Sequence, residues 1–497
     1  MGNAGKIKSR VLIVTGFAPL RLPQLLEMGI PVEPIIFLSG MAGKQTLQFS
    51  IPTIAPAVLS SYLSENGVNV EIADCFIDPE RLYDADIVGI SSTFMGIDDV
   101  KQVVNKVERD NPSATIILGG PLSWSVPSTE IMKLIPAIDY IIMREGEQTF
   151  LELIRAIETK AEKSLIPGLA YNCDGNFIQT VPRQPMRCES IKRPDWKMMG
   201  IPSARRLPVL PVETSRGCPF NCAYCSEVSY WDKPVRYRSI DAVVKELLYD
   251  VEDLGINTFR FTDSCFSAPP ERCGQLCDAI YESCNKNGIS LKWSSYARIS
   301  NLDYLLLEKM KRSGCVALDI GLESGSTGML RSMGRNYAPE MAVNIARFAR
   351  ELDVVTNFNV VVGFPGETSD SIMSTAELIE KAEPDTFASF MFFMASNTRV
   401  DSEHERFHVE GHGLNWKHDT MTSAEAQEGM QVLDAHIKHS ANFPGGEYFA
   451  CYLASLGYSV DEIRKFYSDI TRLTKNPEDS DALETVERVV RSIRKYW

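Results

Sequence analysis

At 497 residues the chain has room for about three domains, each able to bury its own core. Its formal charge of −14, without any run of lysine or arginine, argues against nucleic acid as partner, because proteins that grip a polyanion carry a basic face. No apolar run reaches the roughly eighteen residues that span a bilayer, and the opening Met1-Gly2-Asn3-Ala4-Gly5-Lys6 has neither a signal-peptide core nor the Ser or Thr of a myristoylation site.

In chain order, Arg10–Gly16 is an apolar run that ends at a glycine, predicted as a buried parallel strand. Residues 17–50 lack periodicity and form a long excursion. Strands are expected at 68–74, 86–91, 115–120 and 139–143, with helices at 55–66, 97–110, 128–135 and 148–159. This alternation predicts a doubly wound, Rossmann-like parallel sheet over residues 1–159, with its ligand site outside the carboxyl ends of the strands. The turns there are small and polar: Ser91-Ser92-Thr93, Gly119-Gly120-Pro121 and Glu145-Gly146-Glu147. Residues 160–208, rich in proline, read as a linker that packs rather than hanging free.

From 209 to 395 a second βα rhythm sets in, with strands at 209–214, 258–262, 291–296, 317–321, 356–362 and 386–393. Six such units predict a partial (β/α)6 barrel, whose chemistry sits at the C-terminal ends of the strands. Beyond 396 the rhythm stops, and a mainly helical region with helices at 423–441, 460–474 and 481–496 follows a polar stretch over 397–420.

The first barrel strand runs into Cys218-Pro-Phe-Asn-Cys222-Ala-Tyr224-Cys225, a Cys-x3-Cys-x2-Cys spacing. A [4Fe-4S] cube with a cysteine on every iron needs four thiolates, so three leave one iron open to a small-molecule chelate. Zinc is the competing metal, but it favours paired Cys-x2-Cys sets, and the chain offers no second pair. The other cysteines are scattered, as in a reducing cytoplasm rather than a disulfide scaffold. Cys273, Cys277 and Cys284 share one helix face and read as core, while Cys265 lies near the expected site. All six histidines fall between His404 and His439, so no earlier residue can use imidazole as base or ligand.

The cysteine motif resembles that of the radical S-adenosylmethionine (SAM) superfamily, and later strand ends extend the resemblance. They are Thr262-Asp263-Ser264, Arg298, Gly321-Leu-Glu323-Ser324-Gly325, Arg335 and Gly363-Phe-Pro-Gly-Glu-Thr368. The resemblance implies a [4Fe-4S] cluster on Cys218, Cys222 and Cys225, whose open iron takes the amino and carboxylate groups of SAM. One electron from the cluster then cleaves SAM to a deoxyadenosyl radical. Tyr224, Asp263, Ser264, Arg298, Glu323, Ser324, Arg335 and Gly363 are the residues expected around SAM.

The upstream sheet resembles the cobalamin-binding domain that precedes many such barrels, through Pro52–Leu59, Gly89-Ile-Ser91, Gly119-Gly120 and Arg144-Glu-Gly-Glu-Gln-Thr149. Cobalamin is implied as a further cofactor, with Ser92, Thr93, Gly119, Gly120, Gly146 and Glu147 around it. Arg144 departs from the usual glycine, and Pro121-Leu122-Ser123-Trp124 stands where relatives often have a histidine. Without histidine, this domain cannot supply an imidazole to the lower face of cobalt.

The implied activity is a cytoplasmic, cobalamin-dependent methyl transfer to an unactivated carbon of a small-molecule intermediate, supported by a reductant such as flavodoxin or ferredoxin. A radical dehydratase, cyclase or rearrangement enzyme that has lost cobalamin is the alternative. A methylthiotransferase is excluded, because only Cys75 precedes residue 173 and that family needs three cysteines in its N-terminal domain. The C-terminal region is expected to cover the open barrel, with His404, His408, His412 and His418 as candidates for substrate contact or proton transfer.

Overall fold

A computed structural model describes residues 7–15, 53–75, 80–93, 95–199, 209–476 and 478–494. The expected excursion over 17–50 lies outside them. The chain divides into two compact units, one holding residues 50–202 together with the first strand and Ser229–Asp232, the other the cysteine loop and everything from Lys233 onward.

In the first unit, parallel strands β1 (Arg10–Thr15), β2 (Asn69–Asp74), β3 (Ile87–Ser91), β4 (Thr115–Gly119) and β5 (Tyr140–Ile142) carry the sheet. Within the range 160–208, expected as a linker, β6 (Leu169–Cys173) and β7 (Asn176–Gln179) add an antiparallel hairpin. The order is β2-β1-β3-β4-β5-β6-β7. The direction of winding reverses between β1 and β3, and such a switch point opens a crevice at the strand ends. Val11–Val14, Val88, Ile90 and Ile116–Leu118 are buried from both faces, as a parallel sheet requires.

In the second unit, β8 (Leu210–Val212) is followed by a short antiparallel pair, β9 (Ser215–Arg216) with β10 (Arg236–Tyr237), that flanks the cysteine loop. The main sheet continues with β11 (Thr258–Phe261), β12 (Lys292–Arg298), β13 (Cys315–Glu323), β14 (Val355–Val362) and β15 (Thr386–Met391). With a short edge strand, β19 (Ala441–Asn442), its order is β19-β15-β14-β13-β12-β11-β8, all parallel, so the six expected strands are neighbours in sequence order. Phe261, Phe266 and Trp293 pack ring against ring at 4.5–5.2 Å in its core. Each such buried ring contributes about 1.5–3 kcal/mol. Cys273, Cys277 and Cys284 are buried in the helix Pro270–Asn287, as core residues.

Residues 397–420 carry short helices, and β16 (Glu410–His412) and β17 (Asn415–His418) pair there, joined by β18 (Met421–Thr422). After β19 (Ala441–Asn442) comes a helix the sequence did not announce, Gly446–Ser455, which packs against β11, β12, β13 and β14. Nine of its ten residues are buried. The C-terminal region therefore fills part of the barrel instead of only covering it.

Candidate active site

The loop that carries the three cysteines turns at Gly217, with φ of 101°, and is pinned from the strand behind it. Asp263, just past β11 and 1% exposed, accepts hydrogen bonds from the Thr214 N–H (3.2 Å), the Thr214 hydroxyl (2.7 Å) and the Ser215 hydroxyl. Its carboxyl is raised by burial and partly restored by those donors. Asp263 thus ties the lead-in of the cysteine loop to the second strand. Ser264 donates to Glu227, two residues beyond Cys225.

Cys218, Cys222 and Cys225 are free thiols. Burial raises the thiols of Cys218 and Cys225, the latter to about 12. Iron must displace those protons to bind. The donor set is sulfur only, the chemistry an iron–sulfur cluster needs. Among the described residues no three His, Cys, Asp or Glu side chains converge on a single metal ion. A cluster that gives each cysteine its own iron does not require such convergence, and the residues fit it.

Around this loop the strand ends converge. Arg298, at the end of β12, has its guanidinium 3.4 Å from the Cys222 sulfur and 4.0 Å from the centre of the Phe220 ring. Glu323 ends β13 in a left-handed conformation with φ of 66° and pairs with Arg335 at 2.5 Å. Arg335 also donates to the Gly321 carbonyl (3.0 Å) and to the Tyr224 hydroxyl (2.9 Å), one residue before Cys225. Burial raises the Tyr224 phenol well above its usual range, so it stays neutral. A Cβ on Gly321 would lie 2.4 Å from the Glu323 carboxylate, so a side chain there would have to displace the Glu323–Arg335 pair.

Ser324 lies 3.3 Å from the Thr375 hydroxyl, and Thr375 accepts the Gly325 N–H at 2.8 Å. These residues seat the turn on the helix Ser369–Ala382. After β14, Gly363 has φ of 88°, and its N–H donates to Glu367. Burial pushes the Glu367 carboxyl up to about 7.

Sequence reasoning missed what holds this last turn. Trp416 packs so closely that a Cβ on Gly363 would meet it at 2.4 Å, and its indole donates to the Phe392 carbonyl at 2.7 Å. The His418 ring stacks on Trp416 and lies 3.2 Å from the Gly363 carbonyl. Of the candidate histidines, His418 alone among the described residues reaches this turn. His404 contacts the Asp401 carbonyl and His408 contacts Asp419, both exposed. His412 is exposed in β16.

In the first unit, Ser92 binds the ends of β3 and β4 together: its N–H and hydroxyl both donate to the Gly119 carbonyl (2.9 and 2.7 Å), and its oxygen accepts from the Leu122 N–H (3.1 Å). Thr93 lies 3.5 Å from Ser91. A Cβ on Gly119 would meet nothing within 4 Å, whereas one on Gly120 would press on Ser92 at 3.0 Å. Gly146 precedes the helix Glu147–Thr159, in which Glu147 is buried. Of these strand-end residues, Gly119 has open space beside it, whereas Ser92 and Glu147 are buried. Arg144 adopts φ of 61°, the conformation that favours the glycine it replaces. Its guanidinium stacks 4.4 Å from the Trp124 ring and pairs with Asp232.

The profile of the Radical SAM superfamily matches residues 212–379, and that of the B12 binding domain matches residues 42–154. Residues 212–379 therefore form a radical SAM domain, preceded in the same chain by a B12-binding-type domain. It is similar to an uncharacterized methyltransferase of Pyrococcus horikoshii, 28% identical over 68% of this chain and 75% of the relative. It is also similar to the cytidylyl-2-hydroxyethylphosphonate methyltransferase of Streptomyces wedmorensis, 24% identical over 65% of this chain and 66% of that one. The anaerobic magnesium-protoporphyrin IX monomethyl ester cyclase of Rubrivivax gelatinosus is 24% identical over 60% of this chain, which spans 55% of the cyclase. In fold, the chain is similar to the radical SAM methyltransferase TsrM of Kitasatospora setae. The TM-score is 0.69 at 16% identity, over 95% of this chain and 100% of that one.

Proposed function

We propose that the protein is a cobalamin-dependent radical SAM methyltransferase that methylates an unactivated carbon of a small molecule. The observation that carries this reading is the presence, in one chain, of a three-cysteine loop ringed by strand-end polar groups and a doubly wound sheet matching the B12 binding domain. A cluster and a corrinoid together supply reductive cleavage of SAM and methyl transfer.

The chain's own residues have separable tasks. Cys218, Cys222 and Cys225 supply the sulfurs, and Asp263 holds the loop that presents them. Glu323 and Arg335 form a buried ion pair beside Tyr224, placing one acceptor and one fork of donors next to the cysteine loop for the amino and carboxylate ends of SAM. The Gly363 turn stands where the resemblance expects adenine, and Glu367, Trp416 and His418 hold it. Ser92, Thr93, Gly119, Gly120, Gly146 and Glu147 line the strand ends assigned to the corrinoid. The first 403 residues hold no imidazole, so abstraction of a hydrogen atom fits this site better than removal of a proton by a general base.

A reductant such as a flavodoxin or ferredoxin completes the cycle, and the −14 charge favours a small substrate over nucleic acid. A cytoplasmic location belongs to this reading, and among the described residues no helix is long and apolar enough to cross a membrane. The second reading, a radical cyclase or dehydratase without cobalamin, draws on the departures at Arg144 and Leu122 and on the similarity to the cyclase.

Chromatography with mass detection of SAM products from anaerobically reconstituted, reduced protein supplied with cobalamin tests the choice. Deoxyadenosine together with S-adenosylhomocysteine supports methyl transfer. Deoxyadenosine without S-adenosylhomocysteine selects the second reading.

A further inference from the structure

Each of the three cysteine sulfurs has a hydrogen-bond donor, and the donors differ in kind. The Phe220 N–H serves Cys218 and the Glu227 N–H serves Cys225, both from the main chain two residues on. Cys222 has the Arg298 guanidinium, at 3.4 Å. The first two come with the loop, whatever its side chains. The third depends on one residue, placed 76 positions away in sequence.

Arg298 is held for this contact from several sides. Its N–H donates to the Ser267 hydroxyl (3.1 Å), and Ser267 is itself anchored by Asn301, which donates to its carbonyl (3.1 Å). The Arg298 Nε donates to the Ser300 hydroxyl (3.1 Å), and the guanidinium lies 4.0 Å from the centre of the Phe220 ring, inside the cysteine motif. The residue is 6% exposed.

The other buried arginines of this unit answer to carboxylates: Arg216 to Glu213, Arg238 to Glu246, Arg260 to Glu447 and Arg335 to Glu323. Arg298 has no carboxylate partner among the described residues. A buried cation without an anion is costly, so a position of this kind calls for negative charge nearby. Thiolates bound to an iron–sulfur cluster provide it, and hydrogen bonds to such sulfurs help set a cluster's potential.

We infer that Arg298 is a positioning residue that poises the cluster for reduction by donating to the Cys222 sulfur. The inference rests on the reading of Cys218, Cys222 and Cys225 as cluster ligands. One-electron reduction adds a negative charge to the cluster, and a cation fixed against a ligand sulfur stabilises the reduced form more than the oxidised one. Loss of Arg298 therefore makes the cluster harder to reduce.

The test is a redox titration, followed by electron paramagnetic resonance, of full-length protein reconstituted anaerobically and measured without SAM. In Arg298→Gln the ratio of reduced to oxidised cluster at a fixed solution potential falls about tenfold, equivalent to about 59 mV for one electron. If wild-type protein assembles no cluster, the reading of the cysteines fails. If both proteins assemble it and their midpoints coincide, that reading stands and the role of Arg298 is overturned. Should Arg298→Gln assemble no cluster, Arg298→Leu decides, because leucine removes both the charge and the donors while keeping an apolar side chain in the buried site. A midpoint below wild type supports the inference, and an equal one overturns it.

Discussion

Arg335 meets Glu323 at 2.5 Å, and both side chains are buried beside the cysteine loop. Removing one partner of a buried pair leaves the other charge uncompensated, a loss of about 3–5 kcal/mol. Glu323→Ala is expected to lower stability by that order and to abolish SAM binding. Glu323→Gln keeps a hydrogen-bond acceptor and loses less. Denaturant unfolding and equilibrium dialysis with labelled SAM measure the two effects.

The pair between Arg260 and Glu447, at 2.7 Å, joins β11 to the helix Gly446–Ser455. Glu447→Ala is expected to destabilise by about 3–5 kcal/mol through the stranded guanidinium. The double replacement Arg260→Met with Glu447→Met recovers most of that loss, because neither charge of the pair is left without its partner. Unfolding midpoints of the three variants and the wild type form the cycle that checks it.

Glu367 carries a pH dependence. Burial raises its carboxyl from the usual carboxylate range to about 7. A carboxyl raised on folding stabilises fully below its unfolded value, and the contribution is lost as pH climbs through the folded value. Wild type is therefore expected to lose stability relative to Glu367→Gln between about pH 4.5 and pH 7, by on the order of 3 kcal/mol, and to run parallel to it above. Melting curves of both proteins across that range test the sign.

Gly363 combines a positive φ with close contact to Trp416. Gly363→Ala is expected to be destabilising by at least the roughly 1–2 kcal/mol of a left-handed non-glycine residue. It should also weaken SAM binding by moving the turn. Trp416→Ala removes the nearer clash and leaves the one with Ala426 at 2.7 Å, so Gly363→Ala costs somewhat less in that background, which a double-mutant comparison of melting temperatures reveals.

Much of this architecture is legible in the sequence because parallel strands leave strong local signals. Apolar runs ending in small or polar residues located β1 to β5 of the first unit and the barrel strands, and the motif residues stand at their ends. The helix Gly446–Ser455 escaped because it is buried almost all round and shows no apolar stripe with a period of 3.6. Its neighbour β19 has only two residues. The pairing of Arg298 with Cys222, or of Trp416 with Gly363, joins residues far apart in the chain, and no local pattern encodes it. Arg144 was visible as a departure from the glycine usual in relatives. Its stacking on Trp124 is a tertiary fact.

The account stands on one chain that holds both a corrinoid and a SAM-cleaving cluster. The visible spectrum of anaerobically reconstituted protein, after incubation with cobalamin and removal of the excess, tests this most directly. Cobalamin bound in equimolar amount to the chain is the expected result. A stoichiometry near zero, with the cluster fully assembled, would contradict the methyltransferase.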